Sequence, residues 1–212
     1  MNWLRTKYVL HRLEDKISQE IYEGRPIIQR DSPIDGGVYL GGHEREAIVV
    51  DSVKYPLIGQ VYDEVKALCL GEDYSSAHPF IILGTVFNTV KLRLRYSEEE
   101  TKKIIEERGA VDDHKISLGA FLERQYGVCR QQALLAAFLL EKFIKEGYLE
   151  GKVSVDRNSW VLGAHAWCRY TDKKGEVIIL DPAKDFIGSL EASIQCGKWD
   201  YRRERDRKGR GF

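Results

Sequence analysis

Apolar positions along this chain keep two different periods, and the change between them falls near Gly147. Up to that glycine the spacing is mostly helical. Leu10, Leu13, Ile17 and Ile21 form one stripe among charged residues and predict an amphipathic helix over 2–22. A turn-rich stretch follows, holding Pro26, Asp31, Pro33, Asp35, Gly36 and Gly37. Short strands are expected at Val38 to Leu40 and Ala47 to Val53, around a Gly41-Gly42 turn. Pro56 suits the first turn of a helix running to about Leu70. The pattern from Pro79 to Tyr96 is again helical, and Ser97 with Glu100 forms a capping box for a helix ending at Gly109. Ser117 caps a short helix to about Tyr126, which Gly127 breaks. From Val128 to about Glu146 the chain is apolar nearly all round between Ala133 and Leu140, the mark of a central, buried helix. After Gly147 the period becomes two. Lys152 to Asp156, Ala164 to Thr171 and Glu176 to Asp181 read as strands, the last two joined by Asp172-Lys173-Lys174-Gly175. The expected class is α+β, with the central helix packed on a small antiparallel sheet.

Length and charge narrow the picture. The 212 residues suit a single domain, and 43% apolar content is ample for its core. Within it, residues 1–79 read as an accessory part, 80–187 as the core and 198–212 as a charged tail. Lys198 to Arg210 carries seven basic and three acidic side chains with little to bury, which predicts a mobile tail or docking segment. Lys+Arg and Asp+Glu are equal at 33 each, against the cationic excess that nucleic-acid binding wants. The longest apolar run, Ala133 to Leu140, falls far short of the ~18 residues a membrane-spanning helix needs. Charges at Arg5, Lys7, Arg12, Glu14, Asp15 and Lys16 argue against a secretory signal. Cys69, Cys129, Cys168 and Cys196 show no paired spacing and no zinc-site partner, so reduced thiols, a cytoplasmic location and no metal or cofactor are expected.

The chemistry lies in three residues. Cys129 follows Gln125-Tyr126-Gly127-Val128 at the start of the apolar helix, where unpaired N–H groups lower a thiol pKa. His165 comes 36 residues later and Asp181 16 after that, both on strand-like segments. A hairpin centred on Lys173 pairs positions summing to 346, so that His165 opposes Asp181 and Tyr170 opposes Glu176. Opposed residues share a face with Cβ atoms ~5 Å apart, close enough for the carboxylate to fix the imidazole tautomer. Singly, each residue has an ordinary structural reading. In this order and register they suit a nucleophile, a base and an orienting acid.

Residues 80–187 resemble the transglutaminase-like superfamily, a branch of the papain-like thiol enzymes. The resemblance rests on Asn88 and Tyr96 before the thiol, Gly127-Val128-Cys129 opening a helix, His165-Ala166-Trp167 on a strand and a closing Asp181-Pro182. It implies a papain-like core and the roles just given to Cys129, His165 and Asp181. Two departures leave subfamily and substrate open: Gly147 to Gly163 lacks a Gly-Ile-Pro-Ala-Arg run, and Val177-Ile178-Ile179 stands where a Trp is common. Around the triad, Trp167 shares the His165 face and is a candidate cleft wall, with core packing the alternative. Arg130 is a candidate for stabilising the thiolate or an acidic substrate group. Gln125 and Gln131 are candidate oxyanion donors beside the Cys129 N–H. Cys168 alternates to the opposite face and should be buried and inert. His11, His43, His78 and His114 are expected at the surface. The expected activity is hydrolysis of a peptide or amide bond through a Cys129 thioester. The alternatives are an amine-accepting transglutaminase or deamidase, and a non-catalytic peptide-binding module on the same fold. A peptide or protein is the expected partner, with neither nucleic acid nor membrane.

Overall fold

The computed structural model describes residues 21–41, 46–70, 78–108, 115–160 and 163–208. In chain order its elements are β1 (Ile21–Tyr22), β2 (Arg25–Pro26), β3 (Val38–Leu40), β4 (Ala47–Val49), α1 (Pro56–Leu70), α2 (Pro79–Arg93) and β5 (Arg95–Tyr96). Then come α3 (Glu98–Glu107), β6 (Lys115–Ser117), α4 (Leu118–Arg124), β7 (Tyr126–Gly127) and α5 (Cys129–Lys145). The last group is β8 (Lys152–Trp160), β9 (Gly163–Thr171), β10 (Val177–Asp181), β11 (Phe186–Ser189), α6 (Leu190–Cys196) and α7 (Glu204–Lys208). The chain is mixed α+β. Most of the helix expected over 2–22 lies outside the described residues, as do Gly42, Gly109, His11, His43 and His114. Its last two residues are strand β1, turned back on β2 through Glu23 and Gly24, both at positive φ.

Local chemistry accounts for the element ends. Pro79 opens α2, and the Ser97 hydroxyl accepts the Glu100 N–H at the start of α3. Strand β4 stops short of Val53 because the Asp51 carboxylate accepts the Val53 and Lys54 N–H groups and turns the chain. The pattern that suggested helix up to Tyr96 ends at Arg93; Arg95 and Tyr96 instead pair in parallel with Tyr126 and Gly127.

Helix α5 is the axis of the molecule, buried continuously from Gln131 to Glu141. It lies on one face of a four-stranded antiparallel sheet in the order β11-β10-β9-β8. Val153, Val155, Ala166, Cys168, Tyr170 and Leu180 turn to that side and join α1, α2, α4 and α5 in one core. Ile28, Ile34, Tyr39 and Ile48 from the N-terminal part belong to the same core. The Glu141 carboxylate, on α5, accepts the Ile34 and Asp35 N–H groups, tying that part to the helix. A smaller sheet, β3-β4-β6, lies alongside. No helix among the described residues is long and apolar enough to cross a membrane.

Three expectations need correction. The β9–β10 pairs sum to 348, not 346: Tyr170 faces Ile178 and Leu180 faces Cys168. The five-residue loop 172–176, with Gly175 at φ 88°, sits one position further along than expected, which moves every partner by two. Strand β8 runs to Trp160, not Asp156; past Val155, Asp156 meets Arg203, Arg157 reaches the Leu40 carbonyl and Asn158 meets Trp199, so these polar residues are held by other elements. Finally, residues 199–207 form no loose tail. Trp199, Tyr201 and Arg203 alternate inward across the second face of the sheet, and Asp206 follows them. Tyr201 is 1% and Arg203 5% exposed. Arginine can be buried here because carboxylates meet it: Arg203 holds Asp156 and Asp31, while Arg169 holds Asp206 through two parallel hydrogen bonds.

Candidate active site

Cys129 occupies the first position of α5, and the backbone before it is tightly placed. Strand β7 is pinned by β5, and a Cβ on Gly127 would lie 2.9 Å from the Gln131 Cβ, so only glycine lets the strand pass so close to the helix. The Gln131 side chain reaches back to accept the Val128 N–H at 3.1 Å. The thiol, partly exposed, shares a hydrogen bond with the His165 ring and receives the Ala166 N–H.

His165 and Asp181 lie on the sheet face away from α5. The two-residue register shift leaves them on one face, because strand side chains alternate with period two. They meet on the diagonal: His165 Nε2 lies 2.5 Å from Asp181 Oδ2. That leaves Nδ1 as the ring atom for the sulfur. The same Asp181 oxygen accepts the Tyr201 hydroxyl at 2.7 Å, and Oδ1 accepts the Lys184 N–H at 3.1 Å. Asp181 is 1% exposed and His165 6%, so this chain of bonds works in a dry environment where each is strengthened.

The electrostatics follow from the contacts. Burial alone would raise the Cys129 thiol; the His165 hydrogen bond and charge, the Ala166 N–H and Arg130 together outweigh it and hold the thiol below its ordinary value. Burial alone would lower the His165 imidazole; Asp181 and Cys129 overcome it and push the ring up to about 9. Both directions favour a thiolate–imidazolium pair at neutral pH. Cys168, by contrast, is fully buried and its thiol is raised by burial.

The remaining sequence candidates divide. Trp167, a candidate cleft wall, is 2% exposed and packs edge-on against Tyr201, 5.2 Å between centroids, so core packing is its place. Arg130 stays beside the thiol but is paired with Glu46 at 2.5 Å, which leaves it a weak influence on the sulfur. Gln131 is wholly buried, with both amide atoms engaged by Val128 and Glu46, and cannot serve as an oxyanion donor. Gln125 is exposed, caps the end of α4 at φ 59°, and makes no side-chain hydrogen bond among the described residues. Of the two residues quoted for the resemblance before the thiol, Asn88 is exposed on α2 and not in the site. Tyr96, placed next to Gly127 by strand pairing, lies within electrostatic reach of Cys129, as does Tyr39.

Three residues of the site went unread in the sequence. Trp199 crosses the His165 ring edge-on at 5.0 Å, and its indole N–H donates to Asn158 Oδ1 at 2.7 Å. Asn158 is the cross-strand neighbour of His165 and also donates to the Asp200 carbonyl. Tyr201 buttresses Asp181. The available signal was the alternation Trp199, Tyr201, Arg203 within an otherwise charged run. Groups of His, Cys, Asp and Glu able to hold a metal ion are not found among the described residues. Compared with family models, curated proteins and solved structures, the chain matches none.

Proposed function

We propose that the chain is a thiol acyl-transfer enzyme, a cysteine peptidase or amidase built on a papain-like, transglutaminase-like core. The observation that carries the reading is the unbroken contact from Cys129 through His165 to Asp181, with the thiol lowered and the imidazole raised. In the reaction proposed, the Cys129 sulfur attacks an amide carbonyl carbon. The Cys129 N–H, in the first turn of the helix and without an intrahelical acceptor, is the donor offered to the developing oxyanion. The imidazolium gives its Nδ1 proton to the departing amine, leaving a thioester; His165 then takes a proton from water, whose oxygen attacks the thioester and frees the acid. Asp181 keeps the ring oriented, and its negative charge stabilises the positive charge of the imidazolium. An amine in place of water would give transamidation from the same intermediate.

The test is iodoacetamide at neutral pH followed by peptide mapping. Cys129 is expected to be modified well ahead of Cys196, with Cys69 and Cys168 protected by burial. Uniform labelling of the accessible thiols, or a Cys129 slower than Cys196, would sink the proposal.

A further inference from the structure

A cavity of about 550 Å³ opens on the sheet face that carries His165, bounded by Asn158 and by five arginines: Arg30, Arg202, Arg203, Arg205 and Arg207. Only Asp31 and Glu204 oppose them in its lining. The concentration is unexpected in a chain whose charges balance overall. Not all five are free. Arg203 is engaged by Asp156 and Asp31, and Arg202 and Arg207 share the single carboxylate of Asp200. Arg205 comes no nearer than 4.0 Å to Asp31, which Arg203 already holds, and Arg30 meets only the Arg157 carbonyl at 3.4 Å. Two guanidinium forks therefore face the cavity without a carboxylate of their own among the described residues.

The cavity's position links it to the thiol site. Asn158, in its wall, pairs across the strands with His165 and accepts the indole N–H of Trp199, the ring that lies on the imidazole. The strand that carries Asn158 lies one strand spacing, ~5 Å, from the imidazole-bearing strand. A guanidinium matches a carboxylate with two parallel hydrogen bonds. The volume falls in the range of ordinary ligand pockets, about 300–1,000 Å³, room for more than one side chain. Asp31 and Glu204 keep the arginines apart, which suits separate carboxylates better than one dense polyphosphate. We infer that this cavity is the specificity subsite of the site described above and takes acidic side chains of a peptide substrate. As a subsite it rests on the proposed thiol chemistry; as a site for acidic peptides it does not.

The experiment separates the two. Calorimetric titration of the full chain with tri-glutamate, tri-glutamine and inorganic tripolyphosphate is compared with the same titrations of Arg30→Gln/Arg205→Gln, both exposed positions whose loss spares the buried Arg203 network. Tri-glutamate is expected to bind in preference to tri-glutamine, to weaken about tenfold or more in the double variant, and to bind Cys129→Ala as it binds the parent. Saturating tri-glutamate is also expected to slow iodoacetamide labelling of Cys129. Equal binding of tri-glutamate and tri-glutamine, or unchanged affinity in the double variant, would overturn the proposal, as would tripolyphosphate binding through the same arginines without tri-glutamate. Binding without any effect on Cys129 labelling would overturn its assignment as a subsite. Failure of the thiol chemistry would appear separately, as an unreactive Cys129 in a chain that still binds tri-glutamate.

Discussion

Cys129 and His165 hold one proton between them, and its position decides what the site can do. With the imidazole pushed up to about 9 and the thiol held below its ordinary value, both shifts move the proton toward nitrogen. In the unfolded chain, between the ordinary values of 6.5 and 9.0, it would sit on sulfur. The raised imidazole contributes stability that is lost as pH rises from 6.5 through 9; the lowered thiol contributes stability that is present above 9.0 and lost as pH falls through its lower folded value. The two trends oppose each other, so reactivity and not melting is the informative measurement. Alkylation of Cys129 is expected to persist below the ordinary thiol range and to level off toward higher pH. Amide turnover, which also needs the imidazolium, is expected to fall above about pH 9. Parallel profiles for the two would contradict the ion-pair assignment. Asp181→Asn should cost less than the ~10⁴ of a serine triad, because a thiol ionises more readily. Tyr201→Phe keeps the ring against Trp167 and Phe186 but removes one of three partners of Asp181; a turnover loss of about tenfold is expected, the worth of one charged hydrogen bond. Wild-type turnover in Tyr201→Phe would show that its hydroxyl does not help place the carboxylate.

At the level of elements, the segment from Trp199 to Asp206 behaves as an added layer of the sheet. Arg203→Ala would leave Asp156, 0% exposed, with only the Ser154 hydroxyl among the described residues, and a loss of about 3–5 kcal/mol in urea unfolding is expected. A loss under about 1 kcal/mol would mean the network is relaxed by water, as surface pairs are. Gly151 sets the start of β8: at φ 129° its Cβ would fall 2.3 Å from the Thr171 oxygen, and Gly151→Ala is expected to cost about 1–3 kcal/mol. Helix α5 and β9 were legible in the sequence because an apolar face imposes a period that cannot be mistaken. The second half of β8 and the segment after Lys198 were not, because Asp156 is satisfied by Arg203 and Asn158 by Trp199 and the Asp200 carbonyl, across elements, and each looks like surface when taken singly. The same reason hid Tyr201 and Trp199 from the candidate site. The hairpin register was misjudged by two because the turn residues Asp172 to Glu176 allow more than one loop placement. Asp172 settles it, its carboxylate accepting the Lys174 and Glu176 N–H groups.

For the molecule as a whole, the four-stranded sheet divides the main apolar core from a mixed layer, in which Trp167, Ile179, Phe186 and Tyr201 pack beside the charged network. On one side α5 supplies the core, and Phe138→Ala, at a fully buried position, is expected to cost about 3–5 kcal/mol in the same unfolding measurement. On the other side lie His165, Asp181 and the charged network, closed by the C-terminal segment. Because the sides are told apart only by odd and even positions, a one-residue insertion within β9 or β10 would exchange them. It would send Leu180 or Cys168 outward and turn a carboxylate or an imidazole into the core. An insertion of two residues restores the alternation. Length changes in these strands should therefore be inherited in pairs of codons, with single-codon changes confined to the loop between them.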